Sequence, residues 1–379
     1  MIYGQRVRRL RLMHGMTQAE LAHRVLTTQD RVSRIEKDEA RCDAELEQML
    51  AVELGVTSDC LRRAPAAPLQ ALSPQFRARS RVSQRDRSVA LEWANLVNEE
   101  YQRLTETAAA LPTRLSREDG EGPADAARRV RHLLGFNQRE PLPYLVLAVE
   151  RLGVRVLGLP ITLSTMDGFS AWHGDTPIIG LMTGVPADRV RFTVAHELGH
   201  LVLHRPGQAG REIEAEADAF AAELLTPRDS IVTALPSNPT LNSLTMVKTR
   251  WGVSVKALVR RARELGVIDA DRSLSLYKQL SKRGWNRQEP GFVPEEKPRG
   301  FRKLAEIAYG AGPNTERLAQ DAGWSEELAL TVLRQYARSD ELPRKVARSG
   351  SAETRADNVV RFPAHRRATS RASTEQPAP

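Results

Sequence analysis

Residues 191–218 read RFTVAHELGHLVLHRPGQAGREIEAEAD, and His196, Glu197 and His200 form an H-E-x-x-H string within them. Positions four apart on an α-helix lie on one face, one turn above the other. The spacing therefore predicts a helix, over 190–204, that aims two imidazoles at one point. Two imidazoles so placed can chelate a zinc ion, with the carboxylate between them set to take a proton from water that the ion activates. That is the minimum equipment for metal-assisted amide hydrolysis. Phe192, Val194, Ala195, Leu198, Leu201, Val202 and Leu203 surround the histidines. Glu197 is thus expected in an apolar layer, where a carboxylate without partners costs several kcal/mol.

A second helix is expected in REIEAEADAFAAELL, which carries Glu212, Glu214, Glu216 and Asp218. Glu214 and Asp218 share a face, which fits one carboxylate on the metal and a second orienting a ligating histidine. Two histidines and one glutamate leave a fourth position open, the pattern of a catalytic rather than a structural zinc site. Glu216 is the alternative to Glu214, but it points about 200° away on the same helix, so only one of them reaches the ion. His204 continues the i, i+4 series and is read as packing, or as a donor behind the ligands. Glu212 and Glu223 are read as solvated. The competing reading is an amphipathic helix pair that happens to carry two histidines.

A chain of 379 residues is long enough for two or three domains with real cores. The expected class is α+β and mostly helical. No apolar run approaches the length of a membrane span. The basic start, MIYGQRVRRLRLMHGMTQ, lacks the apolar stretch and cleavage site of a secretory signal. Cys42 and Cys60 are too few to hold a zinc alone, and the reading is reduced thiols in the cytoplasm. Net charge is +9, which favours polyanionic partners without naming one. Residues 62–88 hold Arg62, Arg63, Arg77, Arg79, Arg81, Arg85 and Arg87 against Asp86 alone. That basic linker can lie along DNA phosphates or simply be solvated.

Residues 4–61 read as a compact helical bundle. Thr17 caps a helix over 17–25, with Glu20 three residues on as a capping box. Thr28 caps the next, QDRVSRIEKDE, with Val32 and Ile35 inward. A further helix runs near 43–54, with Leu46, Met49, Leu50, Val52 and Leu54 on its apolar face. The pair 17–25 and 28–38 has the spacing of a helix-turn-helix, in which the start of the second helix meets base edges. Those residues are Thr28, Gln29, Asp30 and Arg31, with Ser33 and Arg34 near the same face, and Gln18 is placed to touch phosphate. Glutamine can bond adenine bidentately, and arginine guanine. Residues 1–63 carry 11 basic and 10 acidic groups, so charge alone says little about DNA.

Further along, helices are expected over 86–111, 124–135 and within PLPYLVLAVERLG. VRVLGLP, GFSAWHG and TPIIGLM read as strands, the last two joined by a Gly-Asp turn. In zinc peptidases an edge strand beside the site can pair with an extended substrate, and the sequence leaves open which strand that would be. Residues 240–266 give two helices around Trp251-Gly252-Val253-Ser254, with Arg260, Arg261 and Arg263 read as solvating one face. Another helix follows over 269–284, then an extended arm marked by Pro290, Pro294 and Pro298, then helical residues 299–338. The expected divisions are a bundle over 1–63, a basic linker and helix over 64–123, a metal-binding domain over 124–235, a helical region over 236–338 and a disordered tail over 339–379.

Two stretches resemble known families. Residues 4–61, through MTQAELAHRV and TTQDRVSRIEKDE, resemble the XRE-type, lambda-repressor-like helix-turn-helix proteins; Leu26 stands where that family usually has glycine in the turn. Residues 124–230, through RFTVAHELGHLVLH and EAEADAFAAELLTP, resemble the ImmA/IrrE metallopeptidases, and RWGVSVKALVRRARELGVID extends the likeness to about residue 285. Thr226 replaces the methionine of that family's usual LLMP. The resemblance implies a zincin-like domain with a small β-sheet, Zn2+ held by His196, His200 and Glu214, and Glu197 as general base. It also implies cleavage of a helix-turn-helix repressor, and the fusion implies regulation within one chain.

The expected protein is a DNA-binding transcriptional regulator with a zinc-dependent peptidase domain. Its expected partners are double-stranded operator DNA and a repressor-type protein substrate, with no membrane and with a homodimer as the default for this kind of DNA binder. His173 and Tyr144 are the candidates for the donor that stabilises the oxyanion. Rival readings are a regulator whose peptidase-like domain only senses a ligand or metal, and a phage-associated or toxin–antitoxin component.

Overall fold

The computed structural model describes residues 1–71, 83–108, 112–118, 120–310, 312, 314–337, 341 and 360–361. Arg77, Arg79 and Arg81 of the basic linker, and the tail expected to be disordered except 341 and 360–361, lie outside the described residues. Among those described, no helix is long and apolar enough to cross a membrane.

Five helices open the chain: α1 (Gly4–Met13), α2 (Gln18–Arg24), α3 (Gln29–Glu36), α4 (Ala44–Glu53) and α5 (Ser58–Leu61), the last unforeseen. The capping box forms as expected: Glu20 N donates to Thr17 Oγ1 at 3.2 Å, and Thr17 N donates to Glu20 Oε2 at 2.7 Å. Thr28 accepts from Arg31 N at 3.3 Å. The turn between α2 and α3 keeps its usual left-handed residue without glycine. Leu26 has φ 52° and is 86% exposed, a conformation that costs a non-glycine residue roughly 1–2 kcal/mol. The bond from Thr27 N to Ala22 O at 2.9 Å closes the turn. Val52, expected inward, is 70% exposed. Beneath these helices Arg11 donates to Glu36 Oε1 at 2.5 Å and Gln18 to Glu36 Oε2 at 2.8 Å, joining α1, α2 and α3.

A two-residue strand β1 (Gln70–Ala71) precedes the long helix α6 (Gln84–Thr107). Then come α7 (Pro123–Leu133), α8 (Leu145–Arg151), β2 (Arg155–Leu159), β3 (Ile161–Thr162), β4 (Gly168–His173) and β5 (Thr176–Met182). The main sheet runs β1-β4-β5-β2. β2 and β5 are parallel, and β4 runs antiparallel to both β5 and β1. Gly174, φ 55°, makes the β4–β5 turn. The short strands β1 and β3 carried no sequence signal; β3 pairs in parallel with β6 (Val360–Arg361).

The strands alternate between two cores, as period-2 geometry requires. Phe169, Ala171 and Ile178 face a core shared with the N-terminal bundle, α6 and the last helices. Val156, Ile179 and Leu181 face a core made with α7, α8 and the helices that follow β5. These are α9 (Ala187–Leu203), α10 (Arg211–Leu225), α11 (Arg228–Ala234), α12 (Leu241–Trp251), α13 (Val255–Glu264) and α14 (Ala270–Lys282). Gly252, φ 68°, ends α12, and Ser254 caps α13.

The segment 299–338, expected to be helical, forms three helices: α15 (Gly300–Tyr309), α16 (Thr315–Ala322) and α17 (Glu326–Leu333). They return to the N-terminal bundle. Thr57 N donates to Gly323 O at 2.8 Å, and Ser325 N donates to Gly55 O at 2.9 Å. Gly323 has φ 68°, and a Cβ there would stand 3.0 Å from Cys60 Cβ and Thr57 Oγ1, so the approach needs glycine. Cys60 is buried at this junction and, like the half-buried Cys42, is a free thiol.

Three glutamates hold the proline-marked arm that leads to α15. Glu289 accepts from Lys248 Nζ at 3.0 Å and Val255 N at 2.6 Å. Glu296 pairs with Arg191 and accepts from Val146 N at 2.8 Å. Glu150 accepts from the backbone N–H of Arg299 and Gly300, each at 2.9 Å. Burial pushes the Glu150 carboxyl up to about 7, against those two donors. A folded-state value above the unfolded one adds stability that is complete at acid pH and is lost as pH rises through 7. Glu150→Gln is therefore expected to gain on the wild type by about 3 kcal/mol between pH 4.5 and pH 8. Any constant cost of the amide cancels in that difference. Denaturant unfolding at the two pH values reads it, and a pH-independent gap would refute it.

Candidate metal centre and nucleic-acid interface

α9 carries the H-E-x-x-H residues, and α10 crosses close against it. Gly199 permits the approach: a Cβ there would meet the Phe220 ring at 3.0 Å and Ala217 Cα at 3.3 Å. The crossing brings Glu214 over the histidines. One ligand atom each of His196, His200 and Glu214 lies within 4.8 Å of the others. His196 Nε2 and His200 Nε2 are 3.1 Å apart, and Glu214 oxygens stand 3.7 Å from each.

Hydrogen bonds behind these atoms fix which ring nitrogens carry protons. Asp218 Oδ1 lies 2.9 Å from His196 Nδ1. A carboxylate only accepts, so Nδ1 carries the proton, and in the neutral ring, the form a metal ion takes, Nε2 keeps its lone pair. A longer relay serves His200. Glu216 Oε2 lies 3.0 Å from His204 Nε2, and His204 Nδ1 lies 2.9 Å from His200 Nδ1. Starting from the acceptor Glu216, the protons fall on His204 Nε2 and His200 Nδ1, again leaving Nε2 of His200 bare. Burial, then His196 and His204, push His200 down to about 2, so it stays neutral. For His196, burial opposes the charge, but Asp218, Glu197 and Glu214 outweigh it and hold the ring above its ordinary value.

Two imidazole lone pairs 3.1 Å apart beside a carboxylate repel one another unless a cation lies between them. Tetrahedral zinc, at about 2.0–2.1 Å from each ligand, places neighbouring ligand atoms roughly 3.3 Å apart. The donor set thus fits a zinc ion in chemistry and in spacing.

Glu197 is 2% exposed and accepts a hydrogen bond from Ser170 Oγ of β4 at 2.8 Å. Asp218 uses its other oxygen to accept from Arg260 of α13 at 2.8 Å. A cavity of about 240 Å³ opens beside this pair, with Phe192, Leu258, Arg261 and Tyr277 on its walls. Of the three arginines expected to be solvated, Arg260 and Arg263 are exposed and Arg261 is not. Arg260 braces Asp218, and Arg261 pairs with a buried Glu223, itself expected in solvent, and with Thr226 O. Glu216 holds His204 instead of serving as an alternative ligand. Tyr144, a candidate oxyanion donor, is 67% exposed and lines a separate cavity with Arg191 and Glu296. His173 is the last residue of β4. Ser170 was missed, although a serine in the apolar run GFSAW was a signal. Arg260 had none, because its partner is 42 residues away in sequence.

At the N-terminal helix pair, Thr28, Gln29, Asp30, Arg31 and Arg34 are exposed along α3, and Ser33 is half-buried. Val32 and Ile35 are buried on the opposite face. Arg31 pairs with Asp43 at the surface. Gln18 is half-buried and donates to Glu36 from the start of α2.

An exposed polar face on the second helix of a helix-turn-helix, joined to a His-His-Glu centre on crossed helices, defines a DNA-binding module linked to a metallopeptidase-type domain. Residues 7–59 match the helix-turn-helix family model, and residues 149–263 match the model of the IrrE N-terminal-like domain, a family of peptidases. The chain is thus a fusion of an XRE-type helix-turn-helix and an ImmA/IrrE-like domain. Among solved structures, it is similar to a Mycobacterium tuberculosis transcriptional regulator at 15% identity and a TM-score of 0.28. That likeness covers 45% of this chain and 51%, about half, of the other. No curated protein matches.

Proposed function

We propose that this chain is a DNA-binding transcriptional regulator whose second domain is a zinc-dependent peptidase. The observation that carries the reading is the convergence of one nitrogen each of His196 and His200 with the Glu214 carboxylate, each imidazole held from behind by its own hydrogen-bonded partner. His196, His200 and Glu214 would hold the ion. Bound there, zinc would polarise a peptide carbonyl and make water acidic enough to attack it near neutral pH. Glu197 takes a proton from the attacking water and returns it to the departing amine. Ser170 keeps Glu197 in one rotamer while it does so. Asp218, braced by Arg260, holds the His196 ring.

The exposed residues of α3, chiefly Gln29, Arg31 and Arg34, would read an operator in the major groove. A homodimer on paired half-sites fits that mode, and a cytoplasmic location fits a DNA partner. The substrate class that fits a peptidase fused to such a module is a repressor-type protein.

Metal analysis of purified wild type beside His196→Ala tests the site. About one zinc per chain, lost in the variant, is the expected result. A wild type that takes up no metal even with added zinc sinks the peptidase reading and leaves a DNA-binding protein.

A further inference from the structure

Strand β4 is the sheet strand whose Ser170 touches Glu197. One of its edges is bonded to β5. Its other edge is occupied by β1, which belongs to the linker after the N-terminal bundle. β1 runs antiparallel, with Gln70 opposite Trp172 and Ala71 opposite Ala171. Opposed Cα atoms in such a pair stand about 4.5–5.5 Å apart. The linker backbone at Ala71 therefore lies one register position from Ser170, and so next to the strand residue that bonds the proposed base.

The faces agree with this placement. Strand alternation puts the exposed Gln70 on the side of Trp172 and Ser170, toward α9. Leu69 and Ala71 face the opposite core, where Leu69 is 5% exposed. Leu69 N donates to Asn95 Oδ1 of α6 at 2.9 Å, which anchors the strand. Upstream, Arg6 donates to Ala64 O at 3.0 Å and Arg9 to Ala66 O at 2.7 Å. The linker is thus tied to α1 at its start and held extended against β4 at residues 70–71, in the orientation a peptide added to this edge would take.

We propose that the segment 69–71, with β1 at its end, is an intramolecular occupant of the peptide-binding edge of β4, so that an external extended peptide reaches Glu197 only when this segment leaves. The inference rests on the peptidase reading for its meaning, but its test does not. A tethered strand competes at an effective concentration in the millimolar range, and a ladder of two residues is short enough for a longer peptide to displace. Displacement would also free the linker from the sheet while its other end stays tied to α1, linking peptide capture to the DNA-binding bundle.

The probe is a fluorescein-labelled peptide of sequence AAPLQALSPQ, copying residues 66–75, added to the full-length chain without metal. Three proteins are compared by fluorescence anisotropy: wild type, the double variant Gln70→Pro/Ala71→Pro, and Asn95→Ala. The double variant removes the N–H groups β1 needs for pairing. Asn95→Ala loosens the anchor and leaves the linker sequence intact, so it decides the matter if the proline variant misfolds. The expected result is binding at least about tenfold tighter in the variants than in wild type, with peptide-induced slowing of hydrogen exchange at residues 168–173. Equal binding in all three, or none in any, overturns the proposal. Because the readout needs no metal and no hydrolysis, a chain that binds the peptide this way but never takes up zinc would leave this inference standing and remove the peptidase reading.

Discussion

Glu197→Gln is expected to keep about one zinc per chain and to lose peptide hydrolysis by a factor of about 10²–10⁴, the usual range for a general base. The side chain is 2% exposed and accepts from Ser170. Glutamine has the same shape, and its amide oxygen can accept the same bond, so the packing of α9 against β4 survives. The proposed ligands His196, His200 and Glu214 are untouched. What disappears is the ability to take and return a proton. Metal content and cleavage of a fluorogenic peptide library, measured side by side, separate the two properties. Undiminished cleavage would exclude Glu197 as the base. Where the domain acts as a sensor of metal alone, the same variant would leave the DNA-binding response to zinc unchanged, which gives the rival reading its own test.

His204→Phe is expected to weaken zinc binding by about 10–100-fold, the usual effect of removing an orienting partner behind a metal ligand. His204 is buried and touches His200 with one nitrogen and Glu216 with the other. Phenylalanine fills the space and removes both bonds. His200 Nδ1 then loses the acceptor that fixes its tautomer, and the ring can carry its proton on the nitrogen the ion needs. Glu216→Gln should show a smaller loss, since it weakens the relay at its far end. Competition against a chromophoric chelator measures both. Thermal unfolding of the metal-free proteins distinguishes this role from plain packing: a relay residue lowers zinc affinity more than it lowers metal-free stability. Unchanged zinc affinity in His204→Phe would remove the relay.

The parts of this chain that the sequence revealed are those where one local rule decides. H-E-x-x-H specifies a helix and its face, and α9 and α10 lie where that spacing put them. The threonine caps of α2 and α3 obey pairing rules that span three residues. Gly174 and Gly252 sit at positive φ where a turn and a helix end were expected. What stayed hidden depends on partners distant in sequence. Arg260 is exposed as expected, but its bond to Asp218 exists only because α13 packs beside α10. Glu223 looked exposed, yet Arg261 accompanies it into the interior. Ser170 meets Glu197 across 27 positions. Val52 was assigned inward by period alone, and the packing of α4 leaves it in water. Strand β1 is two residues long, too short for alternation to register, and only its pairing with β4 identifies it.

Residues 55–57 and 323–325 exchange backbone bonds, and Trp324 bridges Val56. The chain is closed on itself there like a clasped band. The proposed DNA-reading helix α3 and the proposed metal helix α9 therefore have no free hinge between them, because any swing of the first five helices must carry α16 and α17 along or undo the clasp. A cut in the linker alone would leave the two halves fastened at that junction and through the core they share, so severing the chain does not by itself release the N-terminal half.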